Sequence, residues 1–328
     1  MPSAARDGRP VAAVLDVGTN SVLLLVVALG AGGRARVLDE ALVTTRLGAG
    51  LAAGGTLDAA ARARTTEAVV SLAARARGLG ADHVWALATG AARRAADGAA
   101  FARALGAAAR VPVEVLSGDR EARLAYAAVA HGLDVATGPL LVVDVGGGTT
   151  ELALGDGGTP GETASVPLGA LALTEAHLRD DPPSPAALER VRAAVAAVLA
   201  DALPLRRARA AGARLAASGG SATALAALAL GLEGYDGRRV HGHVLDRAAL
   251  AALVARVTAL PLAARARLGA LDPGRAAILP AGALVLAGVV ETADAPAITV
   301  SDHGVRHAYL RERLAAAGMV ADLRGEPA

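Results

Sequence analysis

The sequence predicts an α/β fold made of two similar domains, and three observations carry that reading. An apolar strand that ends in aspartate, turns through a glycine-bearing loop and returns as a second apolar strand occurs twice. The first copy is Val11-Ala-Ala-Val-Leu-Asp16, Val17-Gly-Thr-Asn-Ser21 and an apolar run over 22–27; the second is Leu140-Leu-Val-Val-Asp144 followed by Val-Gly-Gly-Gly-Thr-Thr-Glu151. Asp16 and Asp144 lie 128 positions apart, which reads as a tandem duplication. The remainder alternates short apolar runs with helix-length periodic stretches, the pattern of strands crossed by helices. A length of 328 residues suggests about two domains, each able to bury a core.

Taken in order, the first strand pair is followed by a third strand over 34–45. Gly48-Ala-Gly50 resembles the start of a dinucleotide fingerprint, but no acidic residue follows a strand at the required distance. A helix is expected over 59–78 behind Asp58, a strand over 82–89 and a helix over 99–110. Residues 111–117 read as a short strand, and the segment from Gly118 to Val129 as a helix lying between the two repeats and crossing the domain interface. Residues 134–139 link to the second repeat, whose hairpin turns at 155–161 and whose next strand ends near Leu168-Gly169. Pro182-Pro-Ser-Pro185 precedes a helix over 186–203. Residues 214–218 form a strand that turns at Gly219-Gly220-Ser221 into a helix over 222–230. Helices follow over 245–260 and 281–290, the latter with Arg275 just ahead of it, then a strand over 297–301 and a terminal helix over 305–316. The domains are expected at 1–125 and 126–328, with the C-terminal helix packing back on the first.

Composition excludes several chemistries. Cysteine is absent, so disulfides, thiolate catalysis and cysteine metal sites are excluded. Every one of the 33 basic residues is arginine, which rules out a Walker A phosphate loop. The net charge of +2 implies no general nucleic-acid surface. Residues 1–7 lack an apolar leader, and the run over 276–290 is interrupted by Pro280 and Gly282 and is short for a bilayer. The expectation is a cytoplasmic protein with no membrane partner.

The glycine loops carry the candidate chemistry. Gly146, Gly147 and Gly148 permit a turn whose N–H groups converge on an anion, and Thr149 adds a hydroxyl. Gly18, Thr19, Asn20 and Ser21 form the matching turn. A carboxylate beside a bound phosphate repels it unless a divalent cation intervenes, and Asp144 is placed to hold one. Gly219, Gly220 and Ser221 open a helix whose N-terminus favours anions. Glu121, in the first turn of its helix, suits either the helix dipole or a general base that deprotonates water. Glu151 reads as a solvated strand residue or as an assisting carboxylate. Arg93 offers forked donors to a phosphate, although adjacent Arg94 also suits a surface pair. His241 and His243 lack a third ligand at helical spacing and read as a polar loop.

These segments resemble the exopolyphosphatase/guanosine pentaphosphate phosphohydrolase (Ppx/GppA) family of the actin–hexokinase–Hsp70 superfamily. The matching pieces span nearly the whole chain: Asp16-Val-Gly-Thr-Asn-Ser21, Thr45-Arg-Leu-Gly-Ala-Gly-Leu51, Ala88-Thr-Gly-Ala-Ala-Arg93, Ser117-Gly-Asp-Arg-Glu-Ala-Arg123, Asp144-Val-Gly-Gly-Gly-Thr-Thr-Glu151, Leu168-Gly-Ala170 and Ser218-Gly-Gly-Ser221. Sugar kinases and actin-like proteins share the two aspartate loops but not the Ser-Gly-x-x-Glu-Ala-Arg segment.

The resemblance implies two ribonuclease-H-like domains with an interdomain cleft. It implies Glu121 as catalytic base, Glu151 as a second essential carboxylate, and the loops at Gly18–Ser21 and Gly146–Thr149 as phosphate turns. Arg93 matches an arginine that reaches a substrate phosphate, Asp144 and Asp16 are the metal carboxylates, and Gly219–Ser221 add a nucleotide or polyphosphate contact. Mg²⁺ or Mn²⁺ is the implied cofactor, and a homodimer the implied assembly. The chain departs from the pattern at Leu23, where many members carry arginine, and at Gly90, where serine is common. The function expected is Mg²⁺-dependent release of orthophosphate from the end of inorganic polyphosphate. Alternatives are hydrolysis of guanosine pentaphosphate at its 5′-γ-phosphate, a non-catalytic polyphosphate or nucleotide sensor, and a sugar-kinase-like phosphotransferase.

Overall fold

The computed structural model describes residues 9–30, 33–51 and 54–324; the expected lack of a leader over 1–7 lies outside them. The chain divides into two compact units. Unit 1 holds residues 1–47, 51–116 and 306–328, and unit 2 holds 48–50 and 117–305.

Unit 1 begins with the hairpin β1 (Val11–Val17) and β2 (Ser21–Leu29), joined antiparallel by β3 (Ala35–Thr44). Most residues of β1 and β2 are buried, which is why both read as continuous apolar runs rather than alternating ones. Helix α1 (Ala59–Gly78) starts where the Asp58 carboxylate accepts the Ala61 N–H. It crosses to β4 (His83–Ala88), parallel to β1. Helices α2 (Gly90–Arg94) and α3 (Gly98–Ala109) lead to β5 (Val113–Val115), giving the order β3-β2-β1-β4-β5. Leu15, Leu24, Leu72, Phe101 and Leu105 lie in its core.

Unit 2 opens with α4 (Gly118–Gly132), capped where Ser117 Oγ accepts the Arg120 N–H. The unit boundary therefore falls at Leu116/Ser117. The expected boundary at 125/126 would cut this helix, and the helix instead lies whole in unit 2, packed on that unit's sheet. Strands β6 (Pro139–Val145), β7 (Thr150–Asp156) and β8 (Thr159–Val166) form an antiparallel meander. Helices α5 (Ala170–His177), α6 (Pro185–Ala200) and α7 (Leu203–Ala211) lead to β9 (Arg214–Ser218), which lies parallel to β6. Then come α8 (Gly220–Ala229), α9 (Gly237–Val240), β10 (Val244–Asp246), α10 (Arg247–Ala259), α11 (Leu262–Arg265), α12 (Pro273–Ala293) and β11 (Ala297–Val300). The sheet order is β10-β11-β9-β6-β7-β8. The chain ends with α13 (Val305–Ala316), whose residues from Arg306 onward belong to unit 1; Tyr309 Oη donates to Glu114 there, and Arg306 pairs with Glu40 at 2.7 Å.

The duplication is visible in the backbone. In both sheets the hairpin's first strand runs parallel to the strand that follows the crossover, and the two hairpin turns close alike. Gly18 N–H donates to Ser21 O at 3.0 Å, and Gly146 N–H donates to Thr149 O at 2.9 Å. In the same registers Asp16 faces Leu23, and Asp144 faces Glu151.

One expectation needs revision in α12. The helix does not begin after Pro280 but at Pro273, where Asp272 caps it, and it carries Pro280 in its interior. Proline has no N–H for the carbonyl of Ala276, one turn earlier. The buried Arg265 Nε–H donates to that carbonyl instead, at 2.9 Å. Arg275 consequently sits in the first helical turn rather than ahead of the helix. At 21 residues α12 is long and apolar enough to cross a bilayer, so the length argument made from sequence fails; 72% of its apolar window is buried inside the protein.

Candidate active site

Unit 2 gathers Glu121, Glu151 and Asp144. Glu121 lies in the first turn of α4 yet is only 8% exposed, and Glu151 on β7 is 2% exposed. Of the neighbouring arginines, Arg123 pairs with Asp119 at 3.0 Å. Burial in the sheet, the neighbouring charge of Glu121 and then that of Asp144 push the Glu151 carboxyl up, to about 8, against the opposing hydrogen bonds from Ser165 and Thr149. The reading of Glu151 as a solvated strand residue is therefore overturned. A buried carboxylate with two others in electrostatic reach is costly to ionise unless protons or a cation offset the charge.

The glycine turn lies beside these acids. Ala170 N–H donates to Gly146 O, and Leu171 N–H to Gly147 O, both at 2.9 Å. The start of α5 thus consumes the turn's carbonyls. Gly169 makes this approach possible, because a Cβ there would sit 2.3 Å from Gly147 O. Among the described residues, neither Gly147 N–H nor Gly148 N–H donates a hydrogen bond. Two amides held without acceptors, in a turn whose carbonyls are engaged, are donors that an anion could fill.

The third turn approaches from β9. Gly219 has a φ of +87°, and a Cβ there would fall 2.4 Å from Asp144 Oδ1. Only glycine lets the chain pass so close to that carboxylate. Gly220 lies under the Arg275 guanidinium, 3.0 Å from where its Cβ would be, and Ser221 is buried against Gly282. Asp144, Gly219–Ser221 and Arg275 thus form one neighbourhood, a use of Arg275 that its place in the first turn of α12 explains.

Unit 1 holds the remaining candidates. Asp16 ends β1, and Gly18–Ser21 form the matching turn. Thr45 N–H and Arg46 N–H both donate to Asn20 O, at 3.0 and 2.8 Å, so here too a carbonyl is taken up. Among the described residues, the N–H groups of Thr19 and Asn20 donate no hydrogen bond. Thr89 N–H donates to Val17 O, which sets the start of α2 beside the turn. Arg93 on α2 is half-buried and donates to Leu116 O at 3.1 Å. His241 is held in place by Gly132 O and the Asp302 N–H, consistent with a polar loop rather than a metal ligand.

No group of three His, Asp or Glu side chains among the described residues forms a ready cage for a metal. The donors present nonetheless suit a hard divalent cation. Such an ion takes one or two carboxylates and completes its shell with water and phosphate oxygens.

The model of the Ppx/GppA phosphatase family matches residues 25–316. The chain belongs to the Ppx/GppA phosphatase family. Exopolyphosphatase 2 of Mycobacterium tuberculosis is 33% identical over 310 residues, covering 89% of this chain and 95% of that one. Exopolyphosphatase 1 of Mycobacterium bovis is 29% identical, covering 92% and 87%. Among solved structures, a Ppx/GppA family member from Aquifex aeolicus has a TM-score of 0.74 at 27% identity, over 94% of this chain and 98% of that one. An exopolyphosphatase from Cytophaga hutchinsonii superposes with a TM-score of 0.83 at 21% identity, covering 95% and 99%, which speaks for the fold alone. The two-sheet α/β architecture of this Ppx/GppA chain is that of its family.

Two hydroxyls near these acids escape a reading by motif. Ser165 Oγ donates to Glu151 Oε1 at 2.7 Å, and Thr163 Oγ1 donates to Asp119 Oδ1 at 2.6 Å. Their spacing of two along a strand was the available signal, but residues 155–161 read as one loose turn and hid the start of β8.

Proposed function

We propose that this Ppx/GppA phosphatase is an exopolyphosphatase that releases orthophosphate from the end of inorganic polyphosphate. The observation that carries the reading is the pairing of two deeply buried acids, Glu121 and Glu151, with Asp144 and a glycine turn whose Gly147 and Gly148 amides have no acceptor. A buried carboxylate cluster beside an anion-binding turn suits a polyanionic substrate attacked by water. The names of the curated relatives favour polyphosphate over guanosine pentaphosphate.

In this reading Glu121 accepts a proton from water as the water oxygen bonds to the terminal phosphorus. The bridging P–O bond breaks, and its electron pair leaves on the shortened chain. The Gly147 and Gly148 amides, with Thr149, receive the charge on the terminal phosphate oxygens. Gly18–Ser21 and Arg93 serve as further phosphate contacts, and Gly219–Ser221 as a contact for more of the chain. Asp144 is the unit 2 carboxylate that would hold Mg²⁺ or Mn²⁺, which would supply neutralisation of phosphate charge when bound. Such a cation would offset the burial and neighbouring charge that push the Glu151 carboxyl up.

Orthophosphate release is measured on polyphosphates of several lengths and on guanosine pentaphosphate, at matched concentration, with Mg²⁺ or with chelator. The expected result is turnover of polyphosphate that stops on chelation. Tight polyphosphate binding without turnover in any divalent metal would instead identify a sensor, and preferential turnover of the nucleotide would move the substrate assignment.

A further inference from the structure

Strand β8 carries a feature that the proposed chemistry has not used. Thr163 and Ser165 are two residues apart on one strand, so both side chains leave the same face of the sheet. Each hydroxyl holds a different part of the carboxylate site. Ser165 Oγ donates to Glu151 Oε1 at 2.7 Å. Thr163 Oγ1 donates to Asp119 Oδ1 at 2.6 Å, and Asp119 shares the first turn of α4 with Glu121. That bond, followed by the Arg123 guanidinium, holds the Asp119 carboxyl below its ordinary range.

The register shows that this row is not a requirement of the hairpin. Across the three strands of unit 2 the row reads Asp144, Glu151, Ser165. The corresponding row in unit 1 reads Asp16, Leu23, Leu42. The duplicated frame therefore stands with an apolar pair at those places. Ser165 is also exposed, so its hydroxyl fills no place in the core.

We propose that Thr163 and Ser165 are positioning residues that fix the two acids relative to each other. Ser165 sets the plane of the Glu151 carboxylate, and Thr163 ties down the turn of α4 that presents Glu121. The proposal rests on the hydrolase reading above and deepens it. Neither hydroxyl takes part in bond making; each acts through the carboxylate it orients.

Four variants test it: Ser165→Ala, Ser165→Thr, Thr163→Val and Thr163→Ser. Removal of an outer hydrogen-bond partner in a metal-carboxylate site costs about 10–100-fold in activity or metal affinity. Accordingly Ser165→Ala is expected to lower kcat for orthophosphate release about 10-fold or more, with KM within about twofold, and to weaken binding of Mn²⁺ alone by a similar factor. Thr163→Val is expected to lower kcat less, about 3–10-fold, because it acts one step further from Glu121. Ser165→Thr and Thr163→Ser keep the donors and should recover most of the loss. Wild-type kcat in Ser165→Ala, or a Thr replacement as impaired as Ala, overturns the positioning role. If the wild type itself released no phosphate, the hydrolase reading would be what failed. The Mn²⁺ titration, followed by electron paramagnetic resonance without substrate, would still decide the positioning: unchanged affinity in Ser165→Ala overturns it.

Discussion

At the scale of single residues, the site is governed by the cost of burying negative charge. Glu121 and Glu151 are both buried, and burial with the neighbouring charge of Glu121 makes Glu151 resist ionisation. Two expected outcomes follow from this. Replacing Glu121 by Gln keeps the shape, removes the proposed base and takes one charge from near Glu151. Orthophosphate release should fall about 10²–10⁴-fold while the fold is retained, as read by circular dichroism alongside the assay. The second outcome concerns stability without metal. The folded carboxyl of Glu151 holds its proton up to about 8, whereas the unfolded one loses it near 4.5. Between those values the native state binds more protons, so stability falls as pH rises. In chelator the urea midpoint should decline from about pH 5 to pH 8, and Glu151→Gln should flatten that slope. Added Mg²⁺ should reverse the trend at the upper end. The buried setting of Glu151 was not legible in its own residue type or neighbours. It depends on α4 covering that face of the sheet.

At the scale of elements, glycine and proline decide how the site is built. Gly169 lets α5 press its first amides onto the Gly146–Gly148 turn. Gly169→Ala places a methyl group inside van der Waals distance of that turn. It should cost about 1–3 kcal/mol of stability and displace the Gly147 and Gly148 amides from the positions proposed to meet phosphate. Phosphate release and denaturant unfolding measured on the same sample check both. Helix α12 shows the opposite device, a proline retained because a side chain replaces its missing donor. Arg265 donates to Ala276 O and also to Val257 O and Leu260 O. Arg265→Met should destabilise unit 2 by about 2–4 kcal/mol, since buried carbonyls are left unmade. In the Pro280→Ala background the same change should cost less, because the restored N–H serves Ala276; a double-mutant cycle reads the difference. Some elements were plain in the sequence. Helices 59–78 and 305–316 were read to the residue, the former from its Asp58 cap. Helices α5 and α7 were not: α5 is eight residues with a weak apolar face, and α7 follows α6 after a break at Asp201 and Ala202. Alanine-rich stretches hide such ends, because alanine favours continuing a helix and marks neither face.

At the scale of the whole chain, the last segment completes the first unit. Tyr309 and Leu314 are buried within it, Tyr309 and Arg313 both engage Glu114, and Ala35 N–H donates to Asp322 O. Burial of Tyr309, Leu310 and Leu314 contributes about 5–9 kcal/mol, comparable to the net stability of a domain. A chain truncated after Val305 should therefore lose its protease resistance in residues 54–116 while Ser117–Val305 keeps more of its own, as read by limited proteolysis and mass spectrometry. Sequence-distant pieces thus share one core.

The sequence by itself determined the two aspartate–glycine hairpins, the α/β class and the family, because these depend on local backbone freedom and on residues close together in the chain. Only the tertiary structure decided that Glu121 and Glu151 are buried, with Asp144 within electrostatic reach of Glu151, that Ser165 bonds Glu151 and Thr163 bonds Asp119, and that Arg265 supports the proline in α12. Each of these joins residues far apart in sequence, and its energy comes from removing charged or hydrogen-bonding groups from water, which no local pattern encodes.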